Sequence, residues 1–141
     1  MTTLLNLKSK GDLAELMVAA DLLRRGYKIV LPYGEDWDYD LIVDRHGQLE
    51  RVQVKYTTSD GEVINVPCQS NSLTKGKVRA IKRYTAETVD WMAVYDRPSD
   101  RCYYVPATEL ARGRWSISLR LVPARNNQLR GIRRAEDYTD I

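Results

Sequence analysis

The residues with the clearest capacity for chemistry sit in a short run, RVQVKYTT (residues 51–58), where Gln53 and Lys55 alternate with Val52, Val54 and Tyr56. Alternate side chains of an extended strand point to opposite faces, so Gln53 and Lys55 share one face and the apolar residues the other. Upstream, YDLIVD (39–44) carries Asp40 ahead of the apolar Leu41 and Val43. Between the runs lies RHGQ, whose Gly47 can take a positive φ and close a tight turn. With His46-Gly47 as the loop, Asp40 stands across from Gln53, Cβ atoms roughly 4.5–5.5 Å apart. A loop from Arg45 to Gln48 preserves that pairing, whereas an odd loop shifts the register and breaks it.

That face collects a carboxylate, an amide oxygen and an ammonium. Mg²⁺ favours oxygen ligands, commonly one or two carboxylates completed by water and substrate phosphate. Asp40 supplies a carboxylate, Gln53 an amide oxygen and Val54 its backbone carbonyl. Lys55 could stand beside a metal-activated water and a scissile phosphate, orienting the one and offsetting charge on the other. The same residues could equally form a solvent-facing polar strip on a half-buried sheet. Asp36 and Asp38 share the alternation, but Asp40 opens the apolar run and pairs with Gln53. A calcium-binding loop would need a Gly and a closing Glu that are missing here.

Glu15 is a further candidate. In a helix, its neighbours three, four and seven residues on are Val18, Ala19 and Leu22, an apolar strip where a carboxylate needs a partner. A helix is predicted from about Ser9 to Arg25, ending at Gly26, with Leu13, Leu16, Met17 and Ala20 as its main apolar stripe. If Asp12 were the N-cap, Glu15 would serve only in a capping box; a start at Ser9 is preferred and puts Glu15 a turn inside.

The elements that must position these residues follow along the chain. YKIVLP, YDLIVD, LERVQVKYTT and EVINVPC read as strands, QSNSLTKG as a polar loop and KVRAIKRYT as a helix. DWMAVYD and RCYYVP read as two strands joined by RPSD, ATELARGR as a short helix and SISLRLVP as a strand with Ile117, Leu119 and Leu121 on one face. The expectation is one α/β domain spanning 1–141, its core at about 9–106 and a basic C-terminal extension at about 107–141.

The 141 residues suit one modest core. The net charge of +3 is mild, but its distribution is informative: seven Arg and no Asp or Glu lie between Leu110 and Arg134. Such a run is either a solvated basic surface or a nucleic-acid contact, and Asn126, Asn127 and Gln128 within it can read base edges. Two cysteines, Cys68 and Cys102, lack the spacing of a metal site and read as buried thiols of a reducing compartment. With no signal or membrane-spanning stretch in evidence, a cytoplasmic protein is expected.

Glu15 on the first helix, YDLIVD and VQVK together resemble the PD-(D/E)XK nuclease superfamily. The likeness is closer to its group I intron-encoded homing endonucleases, in which Gln replaces the second acid. Tyr56 after the lysine, WMAVYD followed by YYVP, and SISLRL followed by RNNQ carry the resemblance from about Lys10 to Tyr138. Tyr39 stands where the wider superfamily has a proline. The resemblance implies a restriction-endonuclease-like fold, a mixed central sheet flanked by helices. It implies that Asp40 and Gln53 hold metal, that Lys55 is the catalytic lysine and that Glu15 assists the metal or a water. The cofactor would be Mg²⁺, with Mn²⁺ as a substitute and Ca²⁺ non-productive.

The expected activity is Mg²⁺-dependent, sequence-specific hydrolysis of double-stranded DNA, with no small-molecule substrate and no membrane partner. Cutting both strands requires two sites, hence a homo-oligomer, dimer or tetramer. The expected DNA contacts are Arg114, Arg120, Arg125, Arg130, Arg133 and Arg134, with Asn126, Asn127 and Gln128. A second polar cluster, Gln69, Asn71, Lys75 and Lys77, lies nearer the active end. A Holliday-junction resolvase, a catalytically inactive DNA-binding protein of the same fold and a small interaction module remain alternatives.

Overall fold

The computed structural model describes residues 4–74, 77–110, 114–126 and 129–141, the side chains within 71–80 excepted. Asn6 caps α1 (Leu7–Arg24), its side chain accepting from Ser9 N at 2.8 Å. The helix therefore starts ahead of both Ser9 and Asp12, and Glu15 lies two turns inside. Gly26 follows its end with φ +88°, a conformation that favours glycine. The face turned to the sheet is Ala14, Val18 and Leu22, while Leu16, expected in the main stripe, is 70% exposed. Small Ala14 and branched Val18 permit a close approach to the strands, and the bulkier Leu16 points away.

Five strands form the central sheet in the order β1-β2-β3-β7-β8. These are β1 (Lys28–Val30), β2 (Leu41–Arg45), β3 (Gln48–Thr57), β7 (Trp91–Asp96) and β8 (Arg101–Pro106). Only β3 and β7 run parallel, so the sheet is mixed. The β2–β3 turn is His46-Gly47, both with positive φ (55° and 94°), and the ladder runs from Arg45↔Gln48 to Leu41↔Val52 as the two-residue loop requires. The left-handed strain of His46 is eased by Gly47 N, which donates to Asp44 Oδ1 at 2.7 Å.

Parallel pairing of β3 with β7 sorts the side chains. Val52 and Val54, beside Trp91 and Ala93, face α1 and join Ala14, Val18, Leu22, Leu41 and Val43 in one core. Gln53 and Lys55, beside Met92 and Val94, face the other way. The second face is covered by a two-stranded sheet, β4 (Val63–Pro67) with β9 (Ser116–Arg120), and by single turns at Ala107–Leu110 and Ala135–Tyr138. Ile64, Val66, Leu110, Ile117, Leu119 and Ala135 fill a second core there. One flank of the sheet is thus helix and the other mostly strand.

Residues expected as a polar loop and a helix form instead an antiparallel ribbon, β5 (Gln69–Thr74) with β6 (Lys77–Arg83), with a register shift at Ser72/Leu73. Lysine, arginine and alanine in the second segment suit a helix locally, but the ladder supplies its backbone partners and Val78 and Ile81 suit extended chain. Among the described residues no helix is long and apolar enough to cross a membrane. Both cysteines are free, Cys68 buried and Cys102 half-buried.

Candidate active site

Beyond Leu41 the chain leaves the β2–β3 ladder. Asp40 N donates to Val52 O at 2.9 Å, so Asp40 and Gln53 are not a ladder pair as the ideal hairpin predicts. The departure moves the Asp40 carboxylate along the sheet edge, where its Oδ2 accepts from Val54 N at 2.8 Å. Backbone groups two residues apart in a strand face the same way. The Val54 carbonyl therefore faces that edge too, past the end of β2, and Gln53 Nε2 approaches it at 3.4 Å.

Asp40 is reached from both faces of the sheet. From the helix side Glu15 shares a hydrogen bond with it, and from the opposite face the Lys55 ammonium acts on it through its charge. Burial pushes the Glu15 carboxyl up to about 7, and the charge of Asp40 and their hydrogen bond push the same way. Burial also raises the Asp40 carboxyl, against the opposing effects of Val54 N–H, Glu15 and Lys55. An acid so placed, Asp40 disfavours ionisation of Glu15. Burial lowers the Lys55 ammonium, while the charges of Asp40 and Cys68 work to raise it.

Gln53 is only 8% exposed, so the alternative of a solvent-facing polar strip fails. Lys55 Nζ donates to Gln69 O at 3.2 Å and lies 5.2 Å from the centroid of the Tyr84 ring. Asp38 is withdrawn from the cluster into an ion pair with Lys82 on β6, and Asp36 has a left-handed backbone at φ 66° in an exposed loop. A cleft bounded by Glu15, Asp40, Tyr39 and the loop from Leu31 to Trp37 opens at this edge.

The donors gathered here are all oxygens: two carboxylates, an amide and a backbone carbonyl, which suits a hard divalent cation. Among the described residues no group of three or more His, Cys, Asp and Glu side chains could hold a metal, so a cation here would lean on Gln53, Val54 and substrate. The carboxyl pair fits such an ion, since burial and the charge of Asp40 push Glu15 up to about 7 and a divalent charge would favour the ionised form of both.

The expected DNA-contacting residues are scattered. Gln69 opens β5 beside Lys55, with Asn71 farther along it and Lys77 at the start of β6. Lys75, Asn127 and Gln128 lie outside the described residues. Arg114, Asn126 and Arg130 are exposed. Arg120 is spent on the backbone carbonyls of Val122 and Pro123, both at 3.1 Å. Arg133 pairs with Glu109 at 2.7 Å, Arg125 with Glu62 at 3.3 Å, and Arg134 with Glu136 and Asp137. Tyr84 escaped the sequence reading because its contact with Lys55 spans the β5–β6 excursion, and no local pattern signals that approach.

Residues 5–141 match the PD-(D/E)XK endonuclease family. A solved bacterial homing endonuclease superposes with a TM-score of 0.71 at 23% sequence identity, covering 94% of this chain and 88% of the other. At that identity the likeness speaks for the fold. No curated protein matches the sequence.

Proposed function

Because the chain belongs to the PD-(D/E)XK endonuclease family, we propose that it is a Mg²⁺-dependent, sequence-specific endonuclease of the homing type, hydrolysing double-stranded DNA. The observation that carries this reading is the convergence on Asp40 of Glu15 from one face and Lys55 from the other, at a sheet edge that also offers the Val54 carbonyl.

Asp40, Gln53, Glu15 and the Val54 carbonyl would hold the cation. When bound, it supplies a Lewis acid for the phosphate and lowers the pKa of an attacking water. Asp40 is held at the sheet edge by Val54 N–H, which donates to its Oδ2. Glu15, with its carboxyl near neutrality, gives up its proton as positive charge arrives. Lys55 offsets charge on the phosphate as the water oxygen forms its bond to phosphorus and the opposite P–O bond breaks in line. Neutral Gln53 leaves the site one negative charge short of the same centre with an acid at that position, so cation binding leans on the DNA phosphate. Mg²⁺ titration with and without DNA tests this, and tight binding to the free protein would count against it.

The β5–β6 ribbon starts at the site, and a two-stranded ribbon fits the major groove of DNA. Gln69, Asn71 and Lys77 belong to that element, and exposed Arg114 and Arg130 are suited to phosphate contacts. Two active sites, hence a homo-oligomer, would cut both strands. The deciding experiment is cleavage of supercoiled plasmid with Mg²⁺ by wild type, Asp40→Ala and Lys55→Ala. Undiminished cleavage by either variant would overturn the assignment, and preference for a branched substrate would favour a resolvase.

A further inference from the structure

The two roots of the β5–β6 ribbon close on Lys55. Gln69 opens β5, and its backbone carbonyl accepts from Lys55 Nζ at 3.2 Å. Tyr84 directly follows β6, and the same Nζ lies 5.2 Å from its ring centroid, within cation–π range. Tyr84 N donates to Cys68 O at 3.0 Å, tying the two roots together. The ring is 5% exposed and belongs to the core with Cys68, Met92 and Val94, so it has little freedom to turn.

We infer that the Tyr84 ring and the Gln69 carbonyl are positioning groups that hold the Lys55 ammonium at the mouth of the site. The inference rests on Lys55 being the catalytic lysine. A lysine side chain has large rotamer freedom, and an ammonium has three donors. One N–H engages Gln69 O and the ring attracts the charge, which leaves donors for a phosphate oxygen at the edge where Asp40 lies. The grip also joins the ribbon's base to the site, so the element placed to touch DNA is the element that aims the lysine.

A purely structural Tyr84 would require only apolar bulk, which separates the two roles. Tyr84→Phe keeps the ring face and should cleave within about twofold of wild type. Tyr84→Leu keeps bulk but loses the face, and should slow single-turnover cleavage about tenfold while leaving the Kd for DNA within about twofold. A second reading needs neither metal nor activity. In wild type the Lys55 ε-methylene protons should be shifted upfield by the ring, with the shift kept in Tyr84→Phe and lost in Tyr84→Leu. Wild-type cleavage by Tyr84→Leu, or Lys55 ε-protons at the ordinary exposed value in wild type, overturns the inference. If Tyr84→Leu fails to fold, the wild-type resonance decides alone. Lys55→Ala separates the two failures. Undiminished cleavage there removes the catalytic reading and this inference with it. A dead Lys55→Ala beside a fully active Tyr84→Leu removes the positioning role only.

Discussion

Asp40 and Asp96 are both withdrawn from water along β3, and the fold treats them in opposite ways. Asp96 ends β7 across from Thr57, two residues beyond Lys55, and is 0% exposed. Its oxygens accept from Thr57 Oγ1 at 3.1 Å, Ser59 N at 2.9 Å, and Ser59 Oγ and Ser99 Oγ at 2.8 Å each. Burial alone would raise its pKa, but these donors outweigh it and hold the carboxyl below the ordinary range. Asp40 receives the Val54 N–H, and its other close carboxyl contact, Glu15, is itself an acid. Its pKa is raised and Glu15 is pushed up to about 7. Asp96, which serves the fold, is saturated with donors, whereas Asp40 and Glu15, the proposed cation ligands, are left short of them.

Removing the carboxylate at each place tests that contrast most severely. Asp40→Asn should lower plasmid cleavage by about a thousandfold. It also removes the repulsion with Glu15, so its thermal midpoint should be unchanged or higher in a melt of the metal-free protein. Asp96→Ala should do the reverse, costing about 3 kcal/mol in urea unfolding because buried donors lose their acceptor. Its cleavage rate per folded molecule should stay near wild type. A destabilised Asp40→Asn would erase the distinction.

The pH dependence should carry opposite signs at the two places. Glu15 has a folded value of about 7 against an ordinary 4.5, so the folded state holds the extra proton between them. Stability of the metal-free protein should therefore fall as pH rises from about 4.5 to 7, by on the order of 1 kcal/mol for this half-exposed group. Glu15→Gln should flatten that slope. Asp96, depressed in the fold, contributes stability above the ordinary carboxylate range that is lost as pH falls through its folded value. Urea titrations from pH 3 to 8, about one unit apart, would resolve both limbs.

The smallest effects concern the arginines. Arg133→Ala should cost about 1 kcal/mol of stability through the lost Glu109 pair. Arg114→Ala should leave the melt unchanged, weaken DNA binding across sequences and reduce the salt slope by about 1. A stability loss from Arg114→Ala would place that side chain in the fold rather than on the DNA.

The hairpin was legible because its determinants are local: alternation in residues 41–45 and 51–57, and a turn whose two residues both accept positive φ. The same alternation named Gln53 and Lys55, and helical periodicity named Glu15. Three features were not legible, each for want of a local cause. The face α1 buries depends on which small residues meet the sheet, so Leu16 was misplaced. The β5–β6 ribbon depends on pairing between segments that read separately as loop and helix. The departure of Asp40 from the ladder depends on where β2 ends against β3.

By itself the sequence determined the chemical inventory, the spacing of acid, amide and lysine, and the turn that brings two strands together, because short-range sterics and side-chain alternation suffice for these. Tertiary structure alone decided that Glu15 meets Asp40 from across the sheet, that Gln53 is buried and that Tyr84 closes over Lys55. Those contacts join residues far apart in the chain. They exist only once both faces of the sheet are covered.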